Sequence, residues 1–309
     1  MVNVMRRLIL VPQYPTKMRY QEWWWDEFPK QFAKYFDEVI VLGRGMLGSI
    51  LADEGSFAPV HAAIGLETLQ IDEYSSIDLL PSDVLLLNDL SFPGLFANVL
   101  FHKRPEKCFA ICHATSKNAY DYFEKDRKIK YPIEKATAKL FNKVFVGSQY
   151  HKRKLGWENI EVVLLPFAPF EGQLNPKIYN IVTVARAGKQ KHNLSLERLI
   201  EKGFKTPIIQ CKAQTWKDYY KFLSQSRILL ITSKEETFGY QVFDALKNGC
   251  LVVAPNAFSY PEFLPKNYLY NNVNELLDII FRINITEKLL HQIPTNNFYA
   301  NISQCMKNE

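Results

Sequence analysis

The sequence lacks long apolar runs and has few cysteines, and both features narrow the classes of protein it can represent. No run approaches the roughly 18 apolar residues of a membrane-spanning helix. The amino terminus enters a predicted strand directly, so we expect neither a signal peptide nor a spanning helix. The five cysteines are odd in number and do not have the spacing of zinc ligands. Reduced thiols in a cytoplasm, the host cytoplasm if the protein is viral, are the simplest explanation.

Charge is also unevenly distributed along the chain. Residues 1–99 contain 7 Lys and Arg against 13 Asp and Glu, a balance of 7 − 13 = −6, whereas residues 100–160 contain 14 against 6, or +8. A basic segment of this kind indicates a surface that meets an anion, either a phosphate backbone or an acidic lipid. For any single lysine, a solvated basic helix face is the simpler explanation.

Short apolar strands alternate with helical patterns along the whole chain, and this predicts an α/β protein. At 309 residues the chain is long enough for two domains of about 150 residues each. We predict a first domain over residues 1–168, ending in a proline-rich linker, a second over 169–296, and a tail over 297–309 that could return to the first domain. Predicted strands cover residues 7–11, 38–42, 83–87, 108–112, 143–147, 161–165, 179–184, 207–210, 228–231 and 251–254.

The most informative stretch is SKEETFGYQVFDALKNGCLVVAP, which starts at Ser233. It follows a predicted buried strand, forms a short acidic loop, continues as a helix from about Tyr240 and ends in a second strand. In open α/β sheets ligands bind at such a strand end, because unpaired amides and the helix dipole favour an anion there. The simpler alternative is that Glu235 and Glu236 only favour a helix amino terminus and that Asp244 is a solvated helix residue.

This stretch resembles the nucleotide-sugar loop of retaining GT-B glycosyltransferases, especially those of family four. Their pattern is a serine, a Glu-Gly-Phe-Gly loop, and a second glutamate eight residues after the first. Glu236 stands at the first acidic position and Asp244 at the second, with Thr237 in place of the first glycine. The resemblance implies two doubly wound Rossmann-like domains facing a cleft, with Glu236 on the donor sugar and Asp244 on the ribose. It also implies donor contacts from Thr237, Phe238, Gly239 and Tyr240.

Cations that fit the donor diphosphate follow the first strand of the second domain. In the resembled family an Arg ends this strand and a Lys stands five residues later, and Arg186 and Lys191 match that spacing. Two cations suit a departing nucleoside diphosphate, because negative charge grows on it as the glycosidic bond breaks. Lys189 is a less well-matched candidate. The family's first glycine-rich loop has no counterpart here, where Lys17 and Arg19 are the evident anion ligands.

His113 and three consecutive tryptophans are the candidates in the first domain. His113 directly follows a predicted strand, and in the resembled enzymes a histidine there faces the donor sugar, although a lone histidine is more often structural. Successive helix residues differ by about 100°, so Trp23, Trp24 and Trp25 are not expected to face one core together. At least one is expected at the surface or at the cleft rim, either by chance or as an aromatic platform for the acceptor.

The resemblance implies transfer of a hexose or pentose from a nucleotide sugar, most simply a UDP-sugar, with retention and without a cofactor. No Asp-x-Asp motif is present, so we expect no metal. Two acceptors stay open: DNA carrying a hydroxymethylated pyrimidine, as modified by phage glycosyltransferases, and a glycan or lipid-linked glycan with the basic segment resting on a membrane. A non-catalytic nucleotide-sugar-binding protein with the same fold is the alternative from another class.

Overall fold

The computed structural model describes residues 5–44, 60–90, 95–120, 124, 127–184, 191–285 and 293–309. Among these residues, six strands form one parallel sheet in the order β2-β1-β3-β4-β5-β6. The strands are β1 (Arg7–Val11), β2 (Glu38–Val41), β3 (Val84–Leu87), β4 (Lys107–Ile111), β5 (Lys143–Val146) and β6 (Ile160–Val162). The helices between them are α1 (Tyr20–Phe32), α2 (Val60–Ser75), α3 (Leu95–Val99), α4 (Arg127–Ala138) and α5 (Gln149–Leu155).

A second parallel sheet, in the order β11-β10-β9-β7-β8, follows in the chain. Its strands are β7 (Tyr179–Thr183), β8 (Ile208–Gln210), β9 (Ser226–Leu230), β10 (Leu251–Pro255) and β11 (Leu269–Tyr270). The accompanying helices are α6 (Leu194–Phe204), α7 (Trp216–Ser224), α8 (Tyr240–Lys247) and α9 (Val273–Ile285). Within the ranges described, no helix is long and apolar enough to cross a membrane.

Nearly continuous apolar sequence explains why these strands are central. The four residues of β3 are all buried, as are most residues of β1, β4 and β9. Parallel strands that are covered on both faces read as unbroken apolar runs, since neither face meets water. The predicted strands therefore fall within one or two residues of the observed ones at nearly every position.

The last helix, α10 (Phe298–Asn308), lies against the first domain. Phe298, Ile302 and Met306 recur every four residues and are buried in the same cluster as α1. The Phe298 ring lies 5.8 Å from that of Phe28, and Asn296 donates to the carbonyl of Leu165 at 2.7 Å. The predicted tail is thus a helix that returns to the first domain.

Candidate functional site

The loop between β9 and α8 forms one wall of the site. Gly239 precedes α8 with φ of 86°, in the left-handed region that glycine adopts most readily. A Cβ placed there would lie 3.2 Å from Tyr260 Cε1 and 3.4 Å from Glu236 Cγ. The tight turn at Gly239 therefore holds Glu236 close to the first turn of α8.

Glu236 is paired with a cation and with backbone amides. Its Oε2 lies 2.9 Å from Lys191 Nζ, and its Oε1 accepts from the amide of Thr237 at 3.0 Å. Burial by itself raises the pKa of Glu236, but the charge of Lys191 and these hydrogen bonds outweigh burial and lower the pKa below its usual value. The carboxylate is therefore ionised at neutral pH. The Glu236–Lys191 pair thus places a fixed anion next to a cation at the carboxyl end of β9.

The loop after β4 forms the opposite wall and touches the first. Thr237 Oγ1 donates to the carbonyl of His113 at 2.6 Å, and His113 Nε2 lies 3.1 Å from Tyr240 Oη. The Tyr20 ring stacks on the imidazole with 4.0 Å between centroids and 13° between planes. The strand ends of the two sheets thus place His113 next to the predicted donor loop.

Two residues that the sequence reasoning did not select, Tyr20 and Asp89, belong to this wall. Tyr20 Oη donates to Asp89 Oδ2 at 2.6 Å, and Asp89 Oδ1 accepts from the amide of His113 at 3.4 Å. The available signal was topological, since Asp89 and His113 each follow the end of a buried strand. Neighbouring strands β3 and β4 bring those ends together.

The expectation that at least one tryptophan is exposed is wrong. Trp23, Trp24 and Trp25 are 5%, 2% and 3% exposed. Helix α1 is covered on more than one side, because its cluster includes the first sheet, Phe298 of α10 and Phe238 of the donor loop. Trp25 lies outside this cluster and donates its Nε1 hydrogen to the carbonyl of Gln13 at 2.8 Å. An exposed aromatic platform is therefore not formed by these three residues.

Asp244 is buried rather than solvated, so the simpler alternative for this residue is also wrong. Its Oδ1 accepts from Tyr220 Oη at 2.8 Å and its Oδ2 from Tyr219 Oη at 3.3 Å. Burial raises the pKa of Asp244 to about 6, against the effect of these hydrogen bonds. A ribose bound here would share the carboxylate with two tyrosines.

The other predicted anion ligands are only partly placed. Arg186 and Lys189 lie outside the described residues, whereas Lys191 is in the site. Lys17 and Arg19 are half-buried on the loop that leads to α1. Glu22 holds that loop, because its Oε2 accepts from the amide of Met18 at 2.6 Å and from Trp216 Nε1 at 3.0 Å. The loop is therefore tied to the second domain.

Two further glutamates of the second domain contact α5. Glu235 Oε1 lies 2.6 Å from Lys154 Nζ and accepts from Tyr150 Oη at 3.0 Å. Both oxygens of Glu262 accept from the amides of Gln149 and Tyr150, each at 2.7 Å. A carboxylate at a helix amino terminus satisfies amides that have no partner within the helix. These contacts hold the two sheets' loops together.

In the part of the chain that the structure describes, no group of three or more His, Cys, Asp and Glu side chains is arranged to hold a metal ion.

Solved structures share this architecture. HepE from Anabaena, in complex with UDP, superposes with a TM-score of 0.60 at 15% identity over 98% of this chain and 94% of that chain. Sucrose-phosphate synthase from Thermosynechococcus elongatus gives a TM-score of 0.60 at 12% identity over 91% and 90%. The chain has the GT-B fold. TarM from S. aureus, in a complex with UDP, gives 0.53 at 16% identity, covering 82% of this chain and 57% of TarM.

Sequence similarity to known proteins covers much less of the chain than structural similarity does. No family model matches the chain. A tRNA-queuosine alpha-mannosyltransferase of Drosophila melanogaster is 41% identical over 59 residues, which is 19% of this chain and 16% of that protein. The GT-B fold thus rests on the structural comparison, and the short match adds a local similarity.

Proposed function

We propose that the protein is a glycosyltransferase that moves a hexose or pentose from a nucleotide sugar, most simply a UDP-sugar, to a hydroxyl acceptor. The observation that carries this proposal is the Glu236–Lys191 pair at the carboxyl end of β9, in a loop whose Thr237 donates to the carbonyl of His113. In open α/β sheets ligands bind at this position. The UDP bound to HepE and TarM, which share the fold, supports a uridine nucleotide.

In this proposal each wall of the cleft has a separate task. Lys191 and Arg186 neutralise the departing diphosphate, assisted by the amides of residues 237–240, so that no metal or other cofactor is required. Glu236 orients the donor sugar through its hydroxyls and His113 approaches it from the first domain. Asp244 binds the ribose. Retention of configuration follows the family-four resemblance of the loop.

For the acceptor we propose a nucleic acid with a hydroxylated base, such as DNA carrying a hydroxymethylated pyrimidine. Helices α4 and α5 contact each other through Tyr131, which donates to the carbonyl of Leu155. They expose five cations: Arg127, Lys128, Lys135, Lys152 and Arg153. Such a surface suits phosphates, and binding should weaken steeply with salt. The short match to an enzyme named for a tRNA nucleoside points in the same direction.

A lipid-linked glycan is the second acceptor, favoured by one observation. Helix α4 also exposes Ile129 and Ile133, which are one helical turn apart and 70% and 53% exposed. Binding to phosphatidylcholine–phosphatidylglycerol vesicles but not to hydroxymethylated duplex DNA would select this acceptor and reject the nucleic acid.

The donor site is tested by thermal unfolding with UDP, GDP, ADP and their sugar conjugates. A ligand that binds the native protein at 100 times its Kd stabilises it by about 2.7 kcal/mol. The stabilisation by one nucleotide should disappear in Lys191→Ala and Arg186→Ala but persist in Lys202→Ala, a variant at an exposed lysine on α6. Each shift is measured against the same variant without ligand, because Lys191→Ala also leaves Glu236 unpaired.

Two results would contradict the proposal. If no nucleotide stabilises the native protein, the proposed donor site is refuted and only the assignment of the fold stands. Binding of a sugar nucleotide without hydrolysis or transfer to any acceptor would identify a non-catalytic binding protein.

A further inference from the structure

Asp89 and His113 occupy equivalent places at the ends of two neighbouring strands. Asp89 lies two residues after β3 and His113 two residues after β4, and Leu87 pairs with Ala110 in register. Carboxyl ends of parallel strands meet at the same edge of a sheet. The topology therefore fixes a carboxylate beside an imidazole, independently of how the two domains sit.

The contacts of Asp89 are directed at the histidine and at the residue that stacks on it. Asp89 is 3% exposed and His113 is 8% exposed. Asp89 Oδ1 accepts from the His113 amide, while Oδ2 accepts from Tyr20 Oη and lies 3.4 Å from His113 Nδ1. A buried carboxylate needs such donors, because burying a charge without them is costly.

The approach of Asp89 Oδ2 to Nδ1 bears on which ring nitrogen carries the hydrogen. In a neutral imidazole, a hydrogen on Nδ1 faces an acceptor oxygen here, whereas a hydrogen on Nε2 would leave the Nδ1 lone pair facing the carboxylate. Nε2 is then the acceptor, and Tyr240 Oη at 3.1 Å donates to it. The rings of Tyr20 and Trp24, with centroids 4.0 Å and 4.9 Å from that of His113, keep the imidazole from rotating away.

We propose that Asp89 is a positioning residue that holds His113 as the Nδ1–H tautomer, with the Nε2 lone pair facing the donor loop. Tyr240 supplies the hydroxyl in this structure. When a donor displaces that hydroxyl, Nε2 accepts a hydrogen bond from a hydroxyl of the sugar. The second step rests on the proposed function, whereas the tautomer does not.

The test is the ¹⁵N spectrum of histidine-labelled protein, with the His113 signals assigned by their loss in His113→Gln. In the wild type, Nδ1 should give a protonated and Nε2 an unprotonated ¹⁵N shift. Asp89→Ala should move His113 toward the Nε2–H tautomer. Tyr20→Phe, which keeps the stacked ring and removes one donor to Asp89, should shift the same signals less. A wild-type His113 with its hydrogen on Nε2, or unchanged signals in Asp89→Ala, would overturn the proposal.

Asp83→Asn is the matched control. Asp83 lies just before the other end of β3, is fully buried, and is paired with Arg7 at 2.7 Å. Its substitution should lower stability and leave the His113 signals in place. If it moved those signals equally, the effect of Asp89 would be general loosening of the sheet, and the proposal would fail.

The kinetic arm uses Asp89→Asn, which keeps the side-chain shape. We expect kcat to fall by up to about 100-fold with little change in KM, the order of magnitude of a lost orienting contact, because a neutral amide no longer favours the hydrogen on Nδ1. If kcat is unchanged while the tautomer changes, only the role of Asp89 in transfer is refuted. Absence of any transferase activity in the wild type would refute the proposed function, while the spectrum would still decide the tautomer.

Discussion

Replacing Lys154 with methionine should strongly destabilise the protein, because it leaves Glu235 charged and unpaired between the two domains. The Glu235 and Lys154 side chains are 8% and 15% exposed, and their charged atoms lie 2.6 Å apart. Tyr150 Oη and Asn118 Nδ2 also donate to the same oxygen, at 3.0 Å and 3.5 Å. Both are neutral and cannot balance the charge of the carboxylate.

The expected magnitude follows from this burial. Removing one partner of a buried ion pair costs about 3–5 kcal/mol, because the other charge stays out of water without compensation. Total stabilities are typically about 5–15 kcal/mol, so the loss is a large fraction. Adding Glu235→Gln to Lys154→Met removes the orphaned charge, and the double variant should be more stable than the lysine variant alone.

The measurement is equilibrium urea denaturation, followed by tryptophan fluorescence and by circular dichroism to test whether the transitions coincide. Lys30→Met is the control, since Lys30 is 70% exposed and its pair with Glu27 should contribute no more than about 1 kcal/mol. A loss of under about 1 kcal/mol in Lys154→Met would refute the reasoning. It would mean that the domains do not keep Glu235 out of water in solution.

Three further predictions concern buried groups near the site. Burial raises the pKa of Asp244 to about 6, so the free energy of unfolding of the wild type falls as pH rises from about 4 to 6. In urea denaturation, the free energy of unfolding of Asp244→Asn relative to the wild type should therefore increase by about 2–3 kcal/mol between pH 4 and pH 7. Burial lowers the pKa of His151 to about 3, so stability is lost as pH falls below about 6.5, and His151→Gln should flatten the decline of Tm from pH 7 to 5. A Cβ at Gly147 would lie 2.4 Å from Phe238 Cδ2, so Gly147→Ala should cost about 1–3 kcal/mol in thermal unfolding, unlike Gly203→Ala on exposed α6. Unchanged pH profiles, or equal effects of the two alanines, would contradict these expectations.

The strands and the loop between β9 and α8 were predictable because their signals are local. Apolar runs such as β3 and β9 end at polar residues, and the turn at Gly239 needs a residue that accepts a positive φ. Even α10 carries a local signal, since Phe298, Ile302 and Met306 recur with helical spacing. The resemblance allowed for the return of residues 297–309 to the first domain, but the polar composition of this stretch hid its helical period.

The burial of the tryptophans and the partners of Asp244 could not be predicted from the sequence, because these environments come from other parts of the chain. Trp24 is covered by His113, 89 residues later in the numbering, and by Phe28 on its own helix. Asp244 meets Tyr219 and Tyr220, which precede it on α7. Helix periodicity gives the direction of each side chain around the helix axis. It does not show which of those directions other elements cover.

The adjacent acids Glu235 and Glu236 show how one loop serves two purposes. Glu235 contacts Lys154 and Tyr150 of the first domain, whereas Glu236 contacts Lys191 of its own domain. If both side chains contacted the first domain, neither carboxylate would be available to contact the proposed donor sugar. If both faced Lys191, the loop would have no charged contact with α5. Their separate contacts allow domain contact and the proposed donor binding to coexist, in line with the resemblance, which assigns a donor role to Glu236 and none to Glu235.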